Sequence, residues 1–198
     1  MSIDDEAKVS AFLQCCGLNL IRFSKEELRT PGKTPDFRVF NEGALVAFCE
    51  VKSIVGDDFE GCRDDPTYSA MQNRIHESLK QFRSVNPEHQ IPNILAVVNH
   101  QMGTDIIDLY SVLTGMFFAD NGKNHPIFMK YSHGRILMEK HYVDLYIWFQ
   151  MDRDPLFCFN SDSRFFLALC GFFNIQPNQV SPVRPYSCLR VHSLSGCY

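Results

Sequence analysis

Two short strings hold residue types that could do metal and acid–base chemistry together: Pro35-Asp36 and Glu50-Val51-Lys52. Along a strand, side chains alternate between faces, so Glu50 and Lys52 project together while Val51 points away. Asp36, Glu50 and the backbone carbonyl of Val51 suffice for a hard divalent cation such as Mg2+, with Mn2+ as a substitute, because such ions take oxygen ligands and keep several waters. A bound ion of this kind polarises a phosphodiester and lowers the pKa of water. Lys52 beside it could orient or deprotonate that water, or stabilise charge developing on phosphorus. The chain offers no nucleophile, base and orienter set for acyl transfer, so phosphodiester hydrolysis suits these parts better.

The two strings must be brought to one face. Residues 37–40 and 45–54 read as strands joined through Asn41-Glu42-Gly43, a hairpin signal. If Asn41 pairs with Leu45, Asp36 falls opposite Glu50. If Phe40 pairs with Ala44, Asp36 falls opposite Phe48, still on the face of Glu50. A tight two-residue turn at Glu42-Gly43 would instead put Asp36 opposite Cys49, away from Glu50. The site therefore demands an odd-length connection or a bulge.

Around the hairpin the chain reads as an α/β domain. Val9, Phe12, Leu13 and Cys16 recur at helical spacing, which predicts a helix over 3–16 ended by Gly17. Residues 18–23 form a short apolar run of strand type, and 24–35 form a proline-broken loop. After a charged loop at 56–66, Tyr68, Met71, Ile75, Leu79 and Phe82 mark a long amphipathic helix. The run ILAVVN at 94–99 is apolar throughout, as in a strand covered on both faces. A helix over 104–116, strands at 143–149 and 157–159 and a helix over 164–173 follow. The stretch 176–198, with three prolines and little period, reads as extended or partly disordered. The economical division is a single domain over 1–175, with a core at about 3–117 and an elaboration at about 118–175, followed by that tail.

Pro35-Asp36, a spacer and Glu50-Val51-Lys52, set in the order helix, three strands, helix, strand, resemble the PD-(D/E)XK nuclease superfamily, over roughly residues 3–100. The resemblance implies a restriction-endonuclease-like core: a central mixed β-sheet flanked by helices in the order α-β-β-β-α-β. It further implies that Asp36 and Glu50 bind metal, that Lys52 assists catalysis, and that an acid on the first helix completes the site. Glu6 is favoured for that role, since its spacing to Val9 and Leu13 puts it on the core-facing side. Asp5 is spaced similarly, but its position three after Ser2 suits a cap. On the long helix Gln72, His76 and Lys80 form a polar row, and Gln72 is the residue that the resemblance carries over.

Composition agrees with a globular enzyme more than with a coating protein. The chain has 198 residues, 45% of them hydrophobic, and a formal charge of −4, whereas proteins that wrap nucleic acid are basic. Cleft carboxylates that hold metal remain compatible with that charge. The start MSIDDEAK is acidic where an export signal would be basic and then apolar, and no run reaches the length of a membrane span. A cytoplasmic protein is expected, with no membrane partner. The eight cysteines form no CxxC pair and several lie in apolar runs, as free thiols of a reducing compartment do. DNA is the expected partner, RNA stays open as a substrate, and a homodimer is compatible. The competing reading is a catalytically silent module of the same fold. In it Glu50 and Lys52 form a surface cross-strand ion pair worth under about 1 kcal/mol.

Overall fold

The computed structural model describes residues 3–24, 26–27, 34–55, 66–118, 123–126, 139–151, 153–183 and 186–193. Helix α1 (Ile3–Cys15) ends at Gly17, whose φ of 83° supplies the left-handed turn that glycine adopts without strain. Its expected cap, Ser2, lies outside the described residues. Strand β1 (Asn19–Arg22) follows, then β2 (Phe37–Asn41) and β3 (Ala44–Ile54). Helix α2 (Pro66–Val85) leads to β4 (Asn93–Asn99), in which all seven residues are buried. Helix α3 (Ile106–Thr114) is capped by Asp105, whose side chain accepts from the backbone N–H of Ile107, and it ends at Gly115.

The remaining elements are β5 (Met116–Phe118), β6 (Asn124–Pro126), β7 (Leu145–Phe149), β8 (Leu156–Asn160), α4 (Phe166–Phe172), β9 (Ser181–Val183) and β10 (Tyr186–Ser193). The β5–β6 pair was not legible as strands. The described residues of the stretch that the sequence reads as extended or partly disordered are regular over 181–183 and 186–193. They form β9 and β10, and β10 lies antiparallel to β8 in the main sheet, so the sheet runs past the boundary at 175.

The protein is α/β, built on an open mixed sheet in the order β1-β2-β3-β4-β7-β8-β10-β9. Strands β3, β4 and β7 run parallel, and β1, β2 and β3 run antiparallel. Residues of α1 and α4 (Val9, Phe12, Leu13, Leu169 and Cys170) pack one face with Val51, Ala96 and Ile147. Residues of α2 and α3 (Met71, Ile75, Phe82, Leu109 and Val112) pack the other with Phe48, Leu95 and Trp148. Apolar cover on both sides explains the unbroken hydrophobic run of β4. Among the described residues no helix is long and apolar enough to cross a membrane. Cys15 and Cys49 are free thiols.

Candidate active site

The hairpin that carries both strings combines two of the expected geometries. Asn41 pairs with Ala44, so the turn is the two-residue form, with Glu42 and Gly43 at φ 49° and 83°. Carried along a regular ladder, that register would separate Asp36 from Glu50. The ladder shifts, however: Phe40 pairs with Leu45 but Val39 pairs with Ala47, so Val46 is an extra residue in β3. Beyond this bulge Phe37 faces Cys49, and one step further Asp36 faces Glu50. The backbone N–H of Asp36 donates to Glu50 Oε2 at 3.1 Å, and the N–H of Val51 donates to Asp36 Oδ2 at 2.8 Å.

A strand residue's N–H and C=O point to the same side. Because the N–H of Val51 meets Asp36, its carbonyl also faces the Asp36 edge, where β2 has already ended. Lys52 Nζ sits 2.7 Å from Glu50 Oε1 and donates to Gln81 Oε1 at 2.8 Å. A third acceptor group, Glu77, lies 3.9 Å away. Gln81 in turn donates to the carbonyl of Thr34 at 3.0 Å, tying α2 to the chain just before Asp36. The Glu50–Lys52 contact is therefore no surface pair: Glu50 has no exposed surface and the side chain of Lys52 is 12% exposed.

Burial, and then the neighbouring Asp36 charge, push the Glu50 carboxyl up to about 8. Burial likewise raises Asp36 above the usual carboxylate range, against the pull of the Val51 N–H. Glu6 is raised by burial and by Asp36, which puts the first-helix acid within electrostatic reach of the pair. Its carboxylate is held by Arg22 at 2.5 Å.

Other sequence candidates lie elsewhere. Among the described residues Gln72 makes no hydrogen bond to Asp36, Glu50 or Lys52, and its amide nitrogen is buried without a hydrogen-bond partner. The α2 residues at Lys52 are Glu77 and Gln81, which the sequence reading missed. Their four-residue spacing on the flank of α2 away from Gln72 was the available signal. His76 bonds Glu139 at 2.7 Å, and Lys80 is exposed. Asp5 is buried and accepts from Ser53 and His100; the Ser2 partner of its expected capping role lies outside the described residues.

The donor set fits a hard divalent cation. The buried Glu50 and the part-buried Asp36 lie against each other, each disfavoured as an anion by desolvation, and a dication at their shared edge would relieve that cost. Among the described residues no group of three or more His, Cys, Asp or Glu side chains converges, so Asp36 and Glu50 would need the Val51 carbonyl and water to complete a shell. In comparisons with protein-family models, curated proteins and solved structures, the chain matches none.

Proposed function

We propose that the protein is a metal-dependent nuclease with a PD-(D/E)XK, restriction-endonuclease-like core that hydrolyses phosphodiester bonds in DNA. One observation carries the reading: the Asp36 N–H meets the Glu50 carboxylate at 3.1 Å, and Lys52 Nζ sits 2.7 Å from that same carboxylate. The helix–strand–strand–strand–helix–strand order of the first 99 residues supports it.

In this reading Asp36, Glu50 and the Val51 carbonyl hold Mg2+ or Mn2+, which would supply charge neutralisation at the phosphate and a more acidic water. Lys52 is held by Glu50 and Gln81 on the same face, so its ammonium is placed to orient the attacking water or to meet charge on phosphorus. The Val51 N–H fixes the Asp36 carboxylate, and the Asp36 N–H fixes Glu50, so the acids are positioned before substrate arrives. Glu6 supports the pair from α1 once it is released from Arg22.

A second reading, a catalytically silent module for nucleic-acid binding or assembly, is favoured by that same closure of Glu6 onto Arg22. One assay separates the two. The protein is incubated with linear, circular, branched and single-stranded DNA, with Mg2+ or Mn2+ and with chelator. Cleavage that disappears in chelator and in Lys52→Ala supports the nuclease. No cleavage of any substrate by a folded protein supports the silent module.

A further inference from the structure

Beside Asp36 lies a cation that the chemistry above leaves unused. Arg22 is the last residue of β1, and it pairs with Phe37, the residue after Asp36. Its guanidinium lies 5.2 Å from the centre of the Phe37 ring, and its Nη2 meets Glu6 Oε2 at 2.5 Å. The side chain of Arg22 is 58% exposed, whereas that of Glu6 is 10% exposed. A guanidinium presents five donors, and among the described residues Glu6 is the one acid that engages this one.

The sheet is open at this point. Leu20 packs with the α1 face, so by alternation Arg22 projects to that face too, while Lys52 reaches Gln81 on the α2 face. Asp36 belongs to neither side. Its Oδ2 receives the Val51 N–H, which lies in the plane of the sheet, at a level where β1 has ended and β2 has yet to begin. No strand therefore stands between Asp36 and either cation. Burial raises the Asp36 carboxyl most, and Lys52 and Arg22 are the cations that pull against it. Burial and then the Asp36 charge raise Glu6, against the hold of Arg22.

We propose that Arg22 is the clamp for the substrate phosphate, held in reserve by Glu6 until metal arrives. The inference rests on the nuclease reading. A dication at Asp36 and Glu50 attracts the Glu6 carboxylate and repels the Arg22 guanidinium, so the contact between them opens. Pairing of β1 with β2 and the Phe37 ring keep the arginine at the same edge, where its freed donors require an anion. Phosphodiester oxygens brought to the metal are that anion, and the planar guanidinium matches two of them. Glu6 thus serves two cations in turn, first Arg22 and then the metal.

Two affinities that move in opposite directions test this. Melting curves in Mn2+ without DNA read metal binding, and the KM for DNA cleavage at saturating metal reads the phosphate contact. Arg22→Ala should bind Mn2+ about threefold tighter or more, since Glu6 no longer has to leave another cation. Its KM should rise about tenfold or more, as when a charge-assisted hydrogen bond is lost, while kcat stays within about threefold. The dependence of KM on salt should become shallower by about one ion. Arg22→Gln, which keeps a donor for Glu6 and a cover for Phe37, guards against a folding defect and should show both changes. Arg22→Lys, still a cation, should recover part of the KM. Adding Glu6→Gln to Arg22→Ala should remove the gain in Mn2+ affinity. A contact that only braced α1 against β1 would not move the two affinities apart. Mn2+ binding that is unchanged or weaker, or an unchanged KM, in Arg22→Ala and Arg22→Gln alike would overturn the clamp and leave the nuclease standing. A wild-type protein that cleaves no DNA overturns both.

Discussion

Asp36, one residue before β2, meets Glu50 of β3 because β3 contains one residue, Val46, that β2 does not match. The type of turn and the bulge have opposite effects on facing, and together they restore it. All the site chemistry described above depends on that local irregularity.

If the two acids form a cation site, Mn2+ should raise the melting temperature of the wild-type protein. At a hundredfold excess over Kd the stabilisation is about 2.7 kcal/mol, or about 5–10 °C for a chain of this size. Asp36→Asn and Glu50→Gln should each abolish the shift while remaining folded. A wild-type melting curve indifferent to Mn2+ up to millimolar concentrations would refute the site.

Without metal, stability should fall as pH rises. The Glu50 carboxyl titrates near its ordinary 4.5 when unfolded but at about 8 when folded. Between those values the native state keeps a proton that the unfolded state has released, so each step up in pH favours unfolding. The raised Asp36 adds in the same direction. Urea titrations in chelator across this window should show the slope, and Glu50→Gln should flatten it. An unchanged slope in that variant would show that the effect lies elsewhere.

Gln81, rather than Gln72, should matter to Lys52. Truncation to Gln81→Ala frees Lys52 Nζ from one of its acceptors and unties Thr34 from α2. Cleavage by Gln81→Ala should drop about tenfold or more, as expected when a positioning contact is lost, and the loss should exceed that of Gln72→Ala. Comparing kcat for the two variants on one substrate decides it, and the reverse order would contradict the geometry.

Asp144 should be a stability residue with no part in chemistry. It is fully buried beside β7, separated from Glu50 by β4, and it accepts from the Asn93 N–H at 2.8 Å, His89 Nε2 at 2.8 Å and Ser163 Oγ at 2.5 Å. Asp144→Ala strands these donors and should cost about 2–4 kcal/mol. Denaturant midpoints should move accordingly, whereas cleavage per folded molecule should hold. A midpoint near wild type would mean that water replaces the carboxylate.

Hydrophobic periodicity and turn chemistry are local properties, so the sequence alone marked the helices around Val9–Leu13 and Met71–Phe82, the buried strand at Ile94–Asn99, and Asp36, Glu50 and Lys52 as the residues to watch. It could not say whether Asp36 meets Glu50, because facing depends on whether an extra residue is accommodated within the ladder, and a two-residue turn without a bulge fits the same string. Nor could it choose Gln81 over Gln72: both are polar positions on one amphipathic helix, and only the docking of α2 on β3 decides which reaches Lys52. The Asp5–His100 contact, 95 residues apart, and the joining of β10 to β8 are likewise products of packing between distant segments. Local pattern carries no signal for such meetings, since they form only when the sheet brings their strands side by side.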